Sequence, residues 1–303
     1  MQRIFLGDVQ GCADEFDELI ARAKNEFGDD FSLWVAGDLI NRGPDNLRPL
    51  ERVRDLVMAG RAEYVLGNHE ISLLAVAFGL RELGPNDTFG DLLASSESSD
   101  WIEWLRSRPL VVPGKLGAQP FAMVHASANP SWSLADLVDQ GNRVGRRLSG
   151  TRSEAETFLA ADPESDPLRD ALGRLTRCRS VTPQGAWTSA EPESRYRAWH
   201  LEWAARGHEY GLIYGHWARQ GLHVASGLRG LDTGCVHHGR GRDGFLTAWL
   251  PESIPRSDGL PPFDAPDDRF WQIPARRRYY DPVVVDDDND NDNDNDNGRG
   301  NGA

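Results

Sequence analysis

Five short segments of this sequence place a side chain that can bind a metal directly after an apolar run. In chain order these side chains are Asp8, Asp38, Asn68, His125 and His216, and four of the five follow a glycine. Carboxylate, amide and imidazole groups suit hard or borderline divalent metals such as Mn, Mg, Fe, Co or Zn. Taken singly, each residue is also what an ordinary turn or a hydrogen-bonded buried histidine uses. Their joint recurrence favours a metal site.

The surrounding pattern predicts the elements that bring these side chains together. Apolar strands alternate with amphipathic helices over the first third of the chain, which predicts a βαβαβα order and a largely parallel sheet. Because the carboxyl ends of parallel strands lie on one edge of a sheet, we expect the five ligands to converge there. The predicted strands are 3–7, 31–38, 62–70, 120–126, 211–217, 222–226 and 244–250; the predicted helices are 13–27, 46–59 and one ending at Gly79, with amphipathic pieces at 88–94 and 100–106.

Composition restricts the classes of protein to which the chain can belong. The net charge of its 303 residues is −14, and an acidic body argues against a groove that neutralises many nucleic-acid phosphates. No run approaches the roughly 20 apolar residues of a membrane span, so we expect no membrane association. The cysteines, Cys12, Cys178 and Cys235, are odd in number and far apart. This usage predicts a reduced, cytoplasmic protein.

The chain divides into three predicted parts. Residues 1–250 hold every predicted strand and form one domain, in which 134–209 is polar and helical with unclear boundaries. Residues 251–285 form a C-terminal extension that is richer in Pro and Asp. Residues 286–303 contain seven Asp and one Arg and are expected to be a disordered acidic tail, because they cannot bury apolar surface.

The sequence motifs around the five predicted ligands resemble those of a known family. They read "GDVQG", "GDLINRGPD", "LGNHE", "MVHA" and "YGHW", and they resemble the calcineurin-like metallophosphoesterases of the phosphoprotein phosphatase branch. The flanking words "WLRSRPL", "LTRCR" and "LDTGC" are similar to those of the bacterial symmetrical diadenosine tetraphosphate hydrolases. The resemblance covers about residues 1–250 and is thin between about 134 and 173. It implies an α/β (α+β) fold with a double-sheet β-sandwich core flanked by helices.

The resemblance also implies roles for individual residues. It implies two divalent metal ions, with Mn expected and Mg, Co or Fe as alternatives. Asp38 would bridge the two ions. Arg42 would neutralise charge on the scissile phosphate, and His69 would lie near the leaving oxygen. Arg177, with Arg179 as a weaker candidate, would face phosphate, although a solvated helix face is the alternative for both. The implied metal ligands are Asp8, Gln10 and Asp38 for the first ion, and Asp38, Asn68, His125 and His216 for the second.

Gln10 departs from the wider superfamily, which usually carries His at this place. A neutral amide oxygen is a weaker ligand than imidazole, and it binds a metal directly or through a water. We therefore expect a looser first metal site that prefers Mn or Mg to softer ions.

Asn41 is the second departure, because protein phosphatases carry Asp there. That Asp would orient a general-acid histidine, and Asn cannot give the same charge support to His69. An ADP leaving group ends in a phosphate with a pKa of roughly 6 to 7, so it departs with little protonation. Asn41, at the substrate-binding edge, therefore favours an anhydride substrate over a phosphoprotein.

Four tryptophans are candidates to stack on adenine, as aromatic side chains do with bases elsewhere. Trp101 and Trp104 lie three residues apart on an apolar stripe and are expected to belong to the core. Trp132 and Trp217 follow segments that carry metal ligands, so they remain candidates for substrate binding.

The leading functional hypothesis is two-metal hydrolysis of diadenosine tetraphosphate and water to two ADP. Related dinucleoside polyphosphates and nucleotide-capped RNA 5′ ends are further expected substrates, with residues 134–209 as the wall of the pocket. One alternative is a protein Ser/Thr phosphatase on the same scaffold, and another is a non-catalytic nucleotide-binding sensor. Oligomeric state, metal identity and cleavage symmetry are left open by the residues alone.

Overall fold

The computed structural model describes residues 1–251, 259–265, 269–279 and 281. The predicted acidic tail, 286–303, lies outside these residues. The helices are α1 Ala13–Phe27, α2 Leu47–Met58, α3 Asn68–Ala77, α4 Gly90–Ala94, α5 Ser98–Arg106, α6 Leu134–Ser149, α7 Arg152–Ala160, α8 Pro167–Arg177 and α9 Trp199–Ala204. The strands are β1 Gln2–Leu6, β2 Phe31–Val35, β3 Ala62–Tyr64, β4 Val111–Leu116, β5 Gln119–Val124, β6 Ser180–Val181, β7 Trp187–Thr188, β8 Arg197–Ala198, β9 Gly211–Tyr214, β10 His223–Ala225, β11 Leu228–Gly230, β12 Asp232–Thr233, β13 Phe245–Trp249 and β14 Phe270–Pro274.

Two mixed sheets form the centre of the molecule. The first sheet has the order β12-β13-β1-β2-β3, with β14 also paired to β13. The second sheet has the order β10-β11-β9-β5-β4. In the first sheet β1, β2 and β3 are parallel and extend to one edge, and the antiparallel strands lie on the other side of β1. In the second sheet β5, β9 and β11 are parallel, and the antiparallel strands β4 and β10 flank them. The fold class is confirmed, including the double-sheet core that the resemblance implies. The alternation of strands and helices alone predicts a largely parallel sheet, and this is wrong because both sheets are mixed and β5 and β9 lie in the second one.

Side chains that alternate along the strands join the two sheets face to face. Phe5 of β1 contacts Phe121 of β5 edge-on, with ring centroids 5.4 Å apart. Its neighbours Ile4 and Leu6 point the other way, into the core shared with the helices. Since successive side chains of a strand face opposite sides, each sheet has one apolar face for its partner and another for helices. The carboxyl ends of β1, β2, β5 and β9 therefore meet at one edge of the sandwich.

The helices cover the outer faces of this sandwich. Helix α1 packs on β2 and β14, and α6 packs on β4 and β5. Ser133 caps α6, accepting a hydrogen bond from the Asp136 backbone N–H at 3.2 Å. Such a cap satisfies one of the backbone donors that a helix start leaves unpaired. None of the helices in the described part of the chain is long and apolar enough to cross a membrane.

The segment 134–209 is mostly helical, as predicted, and contains α6 to α9. It also contains a three-stranded sheet, β7-β6-β8, which the sequence did not predict. Its strands have two residues each, too short for a period-2 pattern to be visible.

Part of the predicted extension belongs to the first sheet. Strand β14 pairs antiparallel with β13 along all five of its residues, from Phe270 opposite Trp249 to Pro274 opposite Phe245. Trp271 and Ile273 of β14 are buried in the core between this sheet and the helices. Strand pairing thus continues beyond residue 250, where the family resemblance ends.

Candidate active site

Backbone strain concentrates where the strands end. Six non-glycine residues in the described part of the chain have positive φ, and five of them are predicted site residues. Left-handed backbone costs free energy for a residue with a Cβ and persists where surrounding contacts enforce it. Here it turns side chains towards the sandwich edge in the segments that follow strands β1, β2 and β9. The five residues are Gln10 (48°), Asp38 (47°), Asn41 (79°), Arg42 (65°) and His216 (67°).

Two glycines allow carboxylates to lie against the backbone. A Cβ on Gly67 would stand 2.0 Å from Asp38 Oδ1, and a Cβ on Gly215 would stand 2.0 Å from Asp8 Oδ1. No real side chain can occupy either place unless the carboxylate moves. The glycines before the ligands, visible in the sequence, are therefore required by close approach.

Asp38, Asn68, His125 and His216 lie together, and we call them the second-ion group. Asn68 Oδ1 is 3.0 Å from His125 Nε2 and 2.9 Å from His216 Nδ1. Asp38 Oδ2 is 3.3 Å from His125 Nε2. One ligand atom each from Asp38, His125 and His216 lie within 4.8 Å of one another. The group draws on both sheets and on the start of α3.

The tautomers of both histidines fit a metal ion in this group. His125 Nδ1 donates to the Ala36 carbonyl at 2.7 Å, and His216 Nε2 donates to the Arg177 carbonyl at 3.0 Å. In the neutral rings, the opposite nitrogens carry lone pairs that face Asn68 Oδ1, which is also an acceptor. A divalent cation between these acceptors offsets their mutual repulsion, and the backbone carbonyls hold the rings in ligand orientation.

Charge in the second-ion group leads to the same conclusion. Burial lowers the pKa of His125, but the Asp38 carboxylate, the Ala36 carbonyl and Glu70 together outweigh burial and raise this pKa above its usual value. Burial raises the pKa of Asp38, and His125 and His69 outweigh burial and lower it. The surroundings therefore favour positive charge beside Asp38, which a cation with neutral imidazole ligands supplies.

The predicted ligands of a first ion are Asp8, Gln10 and Asp38, which we call the first-ion group, and their contacts are of another kind. Both Asp8 oxygens accept the His216 backbone N–H, at 3.0 and 3.2 Å. Burial raises the pKa of Asp8 well above its usual value, and Asp232 and Asp38 raise it further. The backbone of buried Gln10 is fixed, since its N–H donates to the Asp38 carbonyl at 2.9 Å and its carbonyl accepts from Gly43 at 2.9 Å. Clustered buried carboxylates are a suitable environment for a cation.

His69 and Asn41 lie beside the second-ion group. The His69 backbone N–H donates to Asp38 Oδ1 at 3.0 Å, and its ring Nε2 is 3.6 Å from Asp38 Oδ2. Its other ring nitrogen, Nδ1, is 2.8 Å from Asn41 Nδ2. The structure thus brings both residues together beside the second-ion group.

Only part of the Arg42 guanidinium has partners within the described part of the chain. Nη1 donates to the Asn86 carbonyl at 2.7 Å and lies 3.7 Å from Asp87 Oδ1. Nε is buried and has no hydrogen-bond partner among the described residues. A buried donor without a partner is costly, and a phosphate oxygen would satisfy it.

The remaining predicted substrate residues are less directly placed. The Arg177 carbonyl accepts from His216, which brings that residue next to the second-ion group. Arg179 Nη1 donates to the Ser189 carbonyl at 2.9 Å, in the small sheet. Trp217 is only 6% exposed and its indole N–H donates to Glu191 at 3.0 Å. Trp132 is half-buried and packs against the core. As predicted, Trp101 is a core residue, and Trp104 packs on the core from a half-buried position.

Three acidic residues of the site were missed by sequence reasoning. Glu70 accepts backbone N–H groups of Asp38, Leu39 and Gly67 at 2.8–3.0 Å, which fixes the Asp38 turn. Burial, followed by Asp38, raises the pKa of Glu70 to about 7. Burial raises the pKa of Asp232 to about 6. The third is Asp87.

The sequence signals for these three residues differ. Glu70 stands at the third position of α3, where a capping-box acid is expected. Asp232 begins the motif "DTG" two residues after strand β11 ends, just as Asp8 lies two residues after β1. Asp87 lies in a polar loop with no local signal.

Comparison with known proteins agrees with this geometry. Residues 1–217 match the family model described as calcineurin-like phosphoesterase. A Ralstonia nicotianae protein named symmetrical bis(5′-nucleosyl)-tetraphosphatase is 36% identical over 257 residues, covering 78% of this chain and 86% of the relative. A Burkholderia thailandensis protein of the same name is 36% identical over 250 residues, covering 77% and 86%.

Solved structures agree at the level of the fold. One crystal structure, described as a candidate diadenosine tetraphosphatase, superposes with a TM-score of 0.57 at 23% identity and covers 90% of this chain and 93% of that one. A protein serine/threonine phosphatase from Saccharomyces cerevisiae superposes with a TM-score of 0.53 at 15% identity, covering 90% and 79%. On its ligand set, its double-sheet core and the match of its first 217 residues, the chain belongs to the calcineurin-like phosphoesterase family.

Proposed function

We propose that this protein hydrolyses diadenosine tetraphosphate with water to two ADP, using two divalent metal ions. The observation that best supports this proposal is the second-ion group. Backbone carbonyls fix its two histidine rings so that their other nitrogens face Asn68 Oδ1 beside Asp38. The curated relatives named for the symmetrical tetraphosphatase activity support this substrate.

Each site residue has a proposed task. When bound, the two ions supply Lewis-acid neutralisation of phosphate charge and activation of water. Arg42 offers its unpartnered Nε to an oxygen of the scissile phosphate, and His69 contacts the leaving oxygen. Asp8, Gln10 and Asp38 would hold the first ion, and Asp38, Asn68, His125 and His216 the second.

The nature of the ligands bears on the choice of metal. Carboxylate and amide oxygens predominate over imidazole, and no cysteine is among the proposed ligands, which favours Mn or Mg over softer ions. We propose Mn as the working metal. The three cysteines are free and buried, in keeping with the predicted cytoplasmic compartment.

Recognition of the two nucleotides is the less defined part of the proposal. Arg177 lies beside the second-ion group and is the better placed of the two candidate arginines, since Arg179 donates to Ser189. Trp132 is the better placed aromatic, because Trp217 is almost fully buried. Nucleotide-capped RNA ends are proposed as further substrates, since they end in the same kind of polyphosphate.

One assay tests the proposal. The purified chain is incubated with Mn²⁺ and diadenosine tetraphosphate, and the nucleotides are separated; we expect ADP alone. AMP with ATP would contradict symmetrical cleavage. No turnover at any metal concentration would favour the sensor, and faster release of phosphate from a phosphopeptide than of ADP would favour the protein phosphatase.

A further inference from the structure

The orientation of the Asn41 amide is fixed by two backbone donors. Its Oδ1 accepts the N–H of Arg42 and the N–H of Thr88, each at 2.9 Å. If the amide were turned over, two N–H groups would face its NH₂ group. The oxygen and the nitrogen of this side chain are therefore assigned by their partners.

The two hydrogens of Asn41 Nδ2 are then both accounted for. One is donated to Asp87 Oδ1 at 3.0 Å, and the other is directed at His69 Nδ1 at 2.8 Å. An NH₂ group cannot accept, so His69 Nδ1 must be the acceptor and carries no proton. In the neutral ring the hydrogen is then on Nε2, the nitrogen nearer the metal ligands, 3.6 Å from Asp38 Oδ2.

We propose that Asp87, acting through Asn41, holds His69 as the neutral Nε2–H tautomer and thereby selects substrates whose leaving group departs as an oxyanion. In this arrangement His69 donates a hydrogen bond to the leaving oxygen and keeps its proton. Asp87 is a positioning residue, and Asn41 with Asp87 forms a specificity-determining pair. This inference rests on the proposed function and adds to it the means of leaving-group selection.

Asp87 is well anchored for this task. Its side chain is 6% exposed, and its Oδ2 accepts the Gly84 N–H at 2.9 Å and pairs with Arg81 Nη1 at 2.8 Å. Its Oδ1 is thus directed to Asn41, and the negative charge favours an N–H donor at that place. A carboxylate at position 41 would set two acceptors about 3 Å apart, which like charges oppose. Asp87 therefore excludes the Asp that protein phosphatases carry there.

The reaction balances without proton transfer from His69. The oxygen of water forms the new bond to phosphorus, and the bond to the departing ADP oxygen breaks with its electron pair on that oxygen. One proton of water passes to solvent. A phosphate leaving group tolerates this route, whereas an alkoxide needs a proton in the transition state.

The first experiment reads the tautomer directly. Nitrogen-15 NMR is recorded on the Mg²⁺-loaded protein, which is diamagnetic, with the His69 signals assigned by their loss in His69→Gln. We expect a pyridine-type signal for Nδ1 and a pyrrole-type signal for Nε2. The reverse assignment, or averaged signals, would overturn the proposal.

The second experiment exchanges the pair. In Asn41→Asp/Asp87→Asn the carboxylate at 41 accepts from the new amide and from His69 Nδ1–H, so the tautomer reverses. We expect the ratio of kcat/KM on an unactivated alkyl phosphate to that on diadenosine tetraphosphate to rise about 10²-fold, the low end of general-acid effects. An unchanged ratio with a reversed tautomer would overturn the selection role.

Arg81→Gln is the matched control for loop loosening. It removes the positive charge that pairs with Asp87 Oδ2 but leaves the Oδ1 contact with Asn41. We expect wild-type His69 signals and a wild-type substrate ratio. By contrast, Asp87→Ala should lower kcat more than it raises KM and should mix the His69 signals. If wild type turns over no dinucleoside polyphosphate, the proposed function fails, while the NMR result still decides the tautomer.

Discussion

The first-ion and second-ion groups share Asp38 but are built in different ways. In the second group, each histidine ring is fixed by a backbone carbonyl, and its other ring nitrogen lies 2.9–3.0 Å from Asn68 Oδ1. In the first group, the carboxylates of Asp232 and Asp38 repel that of Asp8 and raise its pKa. A neutral amide, Gln10, stands where the wider superfamily usually carries a histidine. The second group is pre-formed by hydrogen bonds, whereas the first depends on accumulated charge.

This difference predicts unequal metal affinities. A pre-oriented ligand set loses little conformational entropy on binding, while clustered buried carboxylates repel one another until a cation arrives. We expect the second site to fill first and to be the tighter of the two.

The largest effect is expected from removing the shared ligand. Asp38→Asn deletes a charge from both groups, and we expect kcat/KM to fall by roughly 10³-fold or more. Metal content measured after dialysis should fall at both sites. Asp45→Asn is a matched control, because Asp45 pairs with Arg48 at the surface. Loss at one site alone would show that Asp38 does not bridge the groups.

A smaller effect is expected when only the second group is changed. His125→Ala removes one locked imidazole, and we expect a loss of about 10²-fold in kcat/KM with the second ion lost and the first retained. Equal loss of both ions would contradict a division into two groups. His208→Ala, which removes a half-buried histidine bonded to Pro130, controls for loss of an imidazole elsewhere.

Asp232 tests the dependence of the first group on charge. Asp232→Asn keeps the shape of the side chain and removes its charge next to Asp8. We expect the metal affinity of the first site to fall by roughly 10- to 100-fold, which is the usual effect of removing a residue that supports a metal ligand. Titration calorimetry with Mn²⁺ would measure it. A change confined to the second site would contradict the assignment.

The smallest effect should be a gain. Gln10→His supplies the missing imidazole, and we expect first-site affinity to rise by about 10-fold, or about 1.4 kcal/mol. Gln10→Asn, which keeps the amide, is the control and should not tighten binding. Two equally tight sites in the unchanged protein would contradict the inequality on which this expectation rests.

Much of the fold could be predicted because the elements that matter are strongly patterned. Strand β2 and helix α1 begin where predicted and β1 begins one residue earlier, since buried apolar runs and amphipathic periodicity are local properties. The split into two sheets came from the family resemblance and not from the hydrophobic pattern, because alternation along a strand shows which face is buried and not which sheet the strand joins. The two-residue strands β6 to β8 leave no periodic signal at all.

The site divides along similar lines. Residues that follow a strand and a glycine were predicted, because the topology brings such positions to one edge. Asp87 reaches Asn41 from a loop 46 residues away, and only the folded chain reveals that contact. Which ring nitrogen of a histidine donates is likewise decided by backbone carbonyls, such as those of Ala36 and Arg177. Every residue has a backbone carbonyl, so the sequence gives no sign of these contacts.

Strand β14 has a consequence for handling the protein. A chain cut at residue 250 would keep every proposed site residue, yet it would leave the outer edge of β13, Phe245–Trp249, without its partner strand. It would also uncover Glu15, whose carboxylate accepts from the Tyr279 hydroxyl and the Arg276 N–H. Exposed edges template intermolecular pairing, so a family-defined boundary would yield a chain prone to aggregate. The proposed site residues thus all precede residue 250, whereas the strand that covers the edge of β13 follows it.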